Sequence, residues 1–198
     1  MPVFTDAETE AALRSAVGAL ERGGVVVTPT DTVYGVAADP QVPGAEARLF
    51  HIKRRPDNKP VPLLIAGPEQ LAAWGANLDG KGRRLADRFW PGALTLVLPV
   101  GGGRFEGFRV PDHPVILALL RSVGGALRVT SANVSGEPPA LTAQAAVRDL
   151  GEGVDVVLDA GPVSGGVPST VVKLEAGQYV VIREGAISAA ALAAAWEA

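Results

Sequence analysis

The sequence predicts one α/β domain built on a mixed, twisted β-sheet, and three observations carry that prediction. Short β-branched runs are interspersed with stretches of helical apolar spacing along the whole chain. Glycines at 101–103 and at 177 separate neighbouring strand-like runs, as tight antiparallel returns require. No period of 20–50 residues repeats and no linker divides the chain, so residues 1–198 read as a single domain.

The elements follow in order. Leu13, Val17 and Leu20 recur at spacings of four and three, which predicts a helix over 5–22, stopped by Gly23-Gly24. Val25-Val26-Val27 is a buried strand ending at Pro29, and a second short strand is expected over 32–36. Helical spacing returns over 44–53 and strand character over 61–65. Helices are expected at 68–74 and 78–90, then a strand over 94–100 that turns at the glycines and returns near 108–110. A helix over 114–122, a strand over 126–130 and a helix over 142–150 come next. Strands at 154–158, 169–174 and 179–182 precede an Ala-rich final helix from residue 188.

Composition narrows the function. With 47% hydrophobic and 20% charged residues, the 198-residue chain has material for a sizeable core. A formal charge of −3 supplies no global field for nucleic acid, so RNA would need a local patch. The absence of cysteine removes disulfides, thiolate metal sites and cysteine nucleophiles. Three acidic residues and no apolar run in the first ten residues argue against a secretory signal. No stretch reaches the ~20 apolar residues that span a bilayer. A cytoplasmic protein without membrane contact is the expectation.

Four polar segments stand where the periodicity breaks. Residues 28–35, Thr-Pro-Thr-Asp-Thr-Val-Tyr-Gly, follow the first strand. They are either a ligand-binding turn or a turn satisfied by its own hydroxyls. Residues 53–60 place Lys53, Arg54, Arg55 and Lys59 within seven positions, with Pro56 and Pro60 fixing the loop. Such cations suit phosphate oxygens, although a helix C-terminus favours cations by itself. Residues 128–138 end a strand in Ser131, Asn133, Ser135 and Gly136, which is anion- or nucleotide-binding chemistry or an ordinary turn. Arg109 with His113, Ser169 with Thr170, and Arg183 mark further strand ends, where surface ion pairing is the plainer explanation. Other motifs fail. Residues 75–82 read G-x-x-x-x-G-K-G, but Gly82 stands where a P-loop needs Ser or Thr and the flanks read as helix. His51 and His113 lack neighbours at metal-ligand spacing, and no nucleophile elbow occurs.

Taken in order, Pro-Thr-Asp-Thr-Val-Tyr-Gly (29–35), Lys-x-Arg-Pro-x-x-x-Pro (53–60), Pro-Gly-x-Leu-Thr (91–95), Arg-Val-Pro-x-His-Pro (109–114), Ser-Ala-Asn-x-Ser-Gly (131–136), Ser-Thr-Val (169–171) and Arg-x-Gly (183–185) resemble the YrdC/TsaC family over nearly the whole chain. The resemblance implies an open twisted mixed sheet with helices and a large, positively lined cleft. It implies an L-threonylcarbamoyladenylate synthase, a nucleotidyltransferase that joins L-threonine, bicarbonate or CO2 and ATP, with Mg2+, and releases pyrophosphate. A TsaD-type transferase would then pass the threonylcarbamoyl group to tRNA, giving N6-threonylcarbamoyladenosine; RNA is a further partner to consider.

By motif, the resemblance assigns Lys53, Arg55 and Lys59 to the phosphates, with Lys53 and Arg55 as the catalytic cations. It assigns Ser131, Asn133 and Arg183 to the nucleotide, and Thr32, Tyr34, Leu64, Arg109, Val129 and Ser169 to threonine. No residue is assigned to the metal, which phosphates and water would hold. Replacing Lys53 or Arg55 by Ala is expected to abolish ATP turnover and leave the fold intact. Two departures stand out: Pro139 where the family often has Ser, and Val36-Ala37-Ala38-Asp39 for the family's Leu-Gly-Ala-Asp. The rival reading is a double-stranded RNA-binding, ribosome-maturation module; acidic charge and 5% aromatic residues weigh against it. A carbamoyl-transfer enzyme of hydrogenase maturation is opposed by the lack of Cys.

Overall fold

The computed structural model describes residues 6–54 and 60–198. Arg55 and Lys59 therefore lie outside the described residues. Helix α1 (Asp6–Glu21) ends where Gly23 takes φ 76° and Gly24 N donates to Ala19 O, a turn that releases the chain into β1 (Val26–Thr28). There follow β2 (Gly35–Ala38), α2 (Ala45–Ile52), β3 (Leu63–Ile65), a 3-10 helix (Pro68–Trp74), α3 (Gly80–Phe89), β4 (Leu94–Pro99), β5 (Phe105–Arg109), α4 (Pro114–Ser122) and β6 (Ala126–Ser131). The chain closes with α5 (Ala143–Leu150), β7 (Val156–Val157), β8 (Thr170–Glu175), β9 (Gln178–Arg183) and α6 (Ala189–Glu197). Side-chain caps set several helix starts: Asp79 accepts from Gly82 N, Thr142 from Ala145 N and Ser188 from Ala191 N.

The nine strands among the described residues join one sheet in the order β7-β1-β2-β6-β3-β5-β4-β8-β9. Five pairings are antiparallel and three, β1–β7, β3–β5 and β4–β8, are parallel. The mixed sheet and both glycine returns are thus as the sequence predicts: Gly101–Gly103 join β4 to β5, and Ala176-Gly177, both at positive φ, join β8 to β9.

Beyond shifted ends, such as β5 beginning at Phe105 rather than near 108, two elements differ from the sequence reading. The strand expected over 32–36 begins only at Gly35, because Thr30 Oγ1 accepts from Thr32 N and Val33 N and donates to Val33 O, folding those residues into a turn. The helix expected over 68–74 is 3-10, entered through Pro68. Gly75 ends that 3-10 helix and Asp79 caps α3, so residues 75–82 join two helices and form no phosphate loop.

The register decides where a site can form. On one face Val27, Val36 and Ala38 pack under α2 and α5, while Leu63, Phe108, Leu94, Leu96 and Val172 pack under α3 and α6. On the other face α1 and α4 cover Val26, Ala37, Leu64, Leu127 and Val129. Among the described residues no helix covers the continuation of that second face across β5, β4, β8 and β9, which carries Arg109, Thr95, Val97 and Val171. One face is roofed along its length; the other is roofed only halfway.

Candidate functional site

That unroofed half holds a cavity of about 400 Å³. Its wall brings together strand ends far apart in sequence: Thr30 and Thr32 from the β1–β2 turn, Leu64 from β3, Thr95 from β4, Arg109 from β5, Val129 and Ser131 from β6, Ser169 before β8 and Arg183 at the end of β9.

Arg109 is the anchor of the wall. Its Nε donates to Gly92 O at 2.9 Å, Nη1 to Thr32 Oγ1 at 3.1 Å and Nη2 to Asp31 Oδ1 at 2.7 Å. The side chain is buried, and burial pushes the guanidinium pKa down, while the Asp31 carboxylate opposes that shift and Arg183 adds to it. Thr30 spends its proton on Val33 O, so the 3.0 Å contact between the two hydroxyls is a donation from Thr32 to Thr30. Thr32 Oγ1 therefore both accepts from Arg109 and donates, and its position is fixed. Gly165 closes the turn from outside: a Cβ there would lie 2.5 Å from the carbonyl oxygens of Asp31 and Thr32, and Gly166 N donates to Thr32 O.

Across the cavity Thr95 Oγ1 and Ser169 Oγ lie 2.9 Å apart, both buried. Arg183 Nη2 donates to Ser169 O at 2.7 Å, and partial burial lowers its pKa. Glu106, also in the wall, is neutralised by Arg128 through paired bonds of 2.7 and 2.6 Å. Among the described residues the charged groups at the cavity then sum to Arg109 and Arg183 against Asp31, one positive charge in excess. With Arg109 buried and Arg183 exposed at the rim, that charge makes the cavity an anion site.

The Ser131 loop is built separately. The Lys53 side chain is only 1% exposed overall, and its ammonium donates to the carbonyls of Ser131 and Asn133, while Ser135 N donates to Lys53 O. Asn133 Nδ2 donates to Val134 O and Glu137 O, and its buried Oδ1 has no partner among the described residues. Tyr34 is fully buried on the roofed face. Its hydroxyl donates to Gly161 O at 2.7 Å and accepts from Ala160 N, and burial, reinforced by Asp159, pushes its pKa up to about 12.

The structure thus brings seven of the sequence-derived candidates into one wall: Thr32, Leu64, Arg109, Val129, Ser131, Ser169 and Arg183. Tyr34, Lys53 and Asn133 lie outside that wall, behind loops that border it. Thr95 was not assigned to the site from sequence, and Thr30 entered only as part of the candidate 28–35 turn. A signal existed for Thr95: it is the polar residue in Leu94–Pro99 whose parity is opposite to the buried Leu94, Leu96 and Leu98.

Comparison with known proteins agrees with this architecture. The family model for Sua5/YciO/YrdC, described as telomere recombination, matches residues 18–185, and the chain belongs to that family. It is 36% identical over 180 residues to a threonylcarbamoyl-AMP synthase of Chromohalobacter salexigens, covering 86% of this chain and 97% of that one. It is 35% identical over 186 residues to a threonylcarbamoyl-AMP synthase of Bacillus subtilis, covering 89% of this chain and 54% of the relative. Among solved structures, P. abyssi Sua5 complexed with L-threonine gives a TM-score of 0.81 at 35% identity, covering 87% of this chain and 54% of the other. E. coli YciO gives 0.79 at 26% identity, with coverage of 89% and 90%. The chain therefore spans nearly all of some relatives and about half of others. Among the described residues no helix is long and apolar enough to cross a membrane.

Proposed function

We propose that this chain is an L-threonylcarbamoyladenylate synthase, and the observation that carries the reading is the cavity lined by arginines and hydroxyls, with one positive charge uncompensated among the described residues. The amine of L-threonine adds to CO2 derived from bicarbonate to give a carbamate. A carbamate oxygen attacks the α-phosphorus of ATP, the bond to the β-phosphate oxygen breaks, and pyrophosphate leaves. Nothing in this sequence of steps needs a covalent nucleophile; it needs positioning and neutralisation of charge.

Arg109 offers the threonine carboxylate the two N–H groups that its bonds to Gly92, Thr32 and Asp31 leave over. Thr32 and the Thr95–Ser169 pair supply hydroxyl partners, and Leu64 and Val129 supply packing. Tyr34 acts at one remove, through the 159–161 segment. Ser131, Asn133 and Arg183 hold the nucleotide, with Lys53, Arg55 and Lys59 on its phosphates. Glu106 in the wall and Asp31 behind Arg109 are both committed to arginines, so among the described residues they offer Mg2+ no chelating pair. A Mg2+ ion accompanying ATP takes its oxygens from the triphosphate and water. The labile adenylate passes to a TsaD-type transferase for tRNA modification, which places the protein in the cytoplasm.

The test is pyrophosphate release from ATP with labelled bicarbonate, with and without L-threonine. Threonine-dependent release with label in an adenylate is expected. Folded protein that binds ATP but releases no pyrophosphate with any amino acid refutes the synthase reading and leaves the RNA-binding alternative.

A further inference from the structure

Arg109 is a demanding residue to place. It is buried, it leaves water on entering a cavity already lined by Arg183, and its fork has to present the correct edge. Three bonds hold it, and they are not equivalent. Gly92 O and Thr32 Oγ1 are neutral acceptors, whereas Asp31 is, among the described residues, the only anion that touches it.

Asp31 itself is absent from the cavity wall. Its Oδ1 accepts from Arg109 Nη2 at 2.7 Å and also from Asp112 N at 3.0 Å. One oxygen therefore ties three segments together: the β1–β2 turn, the end of β5, and the stretch that leads into α4. With the carboxylate present, the described charges at the cavity are one positive in excess, which one carboxylate of an amino acid balances. Without it, two cations would share the cavity and repel.

We infer that Asp31 is a positioning residue for amino-acid binding, aiming the two remaining N–H groups of Arg109 into the cavity without touching the ligand. This inference rests on the reading of the cavity as an amino-acid site. The neutral variant Asp31→Asn keeps the size of the side chain and an acceptor oxygen, and loses the charge.

The experiment has two independent readouts. In steady-state pyrophosphate release, Asp31→Asn raises KM for L-threonine about tenfold, the worth of a lost charge-assisted bond, while KM for ATP moves less than about twofold. A loss of folded protein would lower the rate and leave both KM values in place. In ¹H–¹⁵N NMR, the Arg109 Nε–H line, assigned by its absence in Arg109→Lys, is sharp in the unaltered protein and broadened in Asp31→Asn. An unchanged Arg109 line, or equal movement of both KM values, overturns the inference. If the unaltered protein releases no pyrophosphate with threonine, the synthase reading fails, and the NMR line still decides whether Asp31 aims Arg109. Should Asp31→Asn fail to fold, Asp31→Glu replaces it. That variant keeps the charge but shifts it by a methylene, giving a threonine-selective KM rise of about threefold; a rise shared equally with ATP again overturns the inference.

Discussion

Thr170 offers a direct test of what holds the Arg183 side of the cavity. It opens β8 and is fully buried, and its Oγ1 donates to Ile187 O at 2.6 Å while accepting from Gly185 N at 2.9 Å and Ile187 N at 3.0 Å. Thr170→Val keeps the shape and deletes that single oxygen. Two amides and one carbonyl then lose their protein partner, and each costs about 1–3 kcal/mol if left dry. Gly185 and Ile187 are only partly buried, so water recovers part of this, and the net loss is about 2–4 kcal/mol. In a domain of this size that lowers Tm by roughly 6–12 °C. Urea and thermal unfolding followed by circular dichroism measure both quantities. The cavity is affected as well, because the same turn carries Arg183 to its bond with Ser169 O. A loss below about 0.5 kcal/mol would refute the reasoning, since it would mean that the turn holds without the hydroxyl.

Three further outcomes are expected. His113 caps α4 by accepting from Val115 N through Nδ1, and burial lowers its pKa despite Asp31 and Asp112. The unfolded chain then binds a proton more readily than the folded one, so stability falls as pH drops below about 6.5; His113→Asn, which caps without titrating, flattens that acid limb in pH-dependent urea unfolding, and an unchanged limb counts against it. Gly165→Ala drives a methyl onto the carbonyls of Asp31 and Thr32 and costs about 1–3 kcal/mol, with a higher KM for threonine; an unaltered urea midpoint would show that the turn yields freely. Lys53→Met keeps the buried stem but strips the donor from Ser131 O and Asn133 O, so stability falls by about 1–3 kcal/mol together with ATP affinity. That stability cost separates it from the expectation, read from sequence, of an inactive but fully stable Lys53 variant, and equal urea midpoints would remove the distinction.

Much of the candidate site was legible because its residues flank strands. Thr32, Arg109, Ser131, Ser169 and Arg183 all sit where polar residues meet an apolar run, and one sheet gathers such ends. Lys53 was legible as a cation but not as a buried one. Its carbonyl partners lie about eighty positions away, and local sequence carries no sign of that distance. Tyr34 stands outside the cavity wall for a related reason: Thr30 holds residues 30–33 in a turn and delays β2, and Tyr34 lies on the roofed side with the 159–161 segment.

By itself the sequence determined the order and type of the elements, because apolar period, β-branching and glycine returns act over a few residues. It also determined the chemical character of the site, since threonines, arginines and the absence of cysteine are properties of composition. Only the tertiary structure decided the strand order, the half-roofed face and the pairing of Arg109 with Asp31. Those depend on which strands lie side by side and on the burial each charge meets there. Both are settled by long-range packing, where a one-residue change of register turns every side chain to the other face.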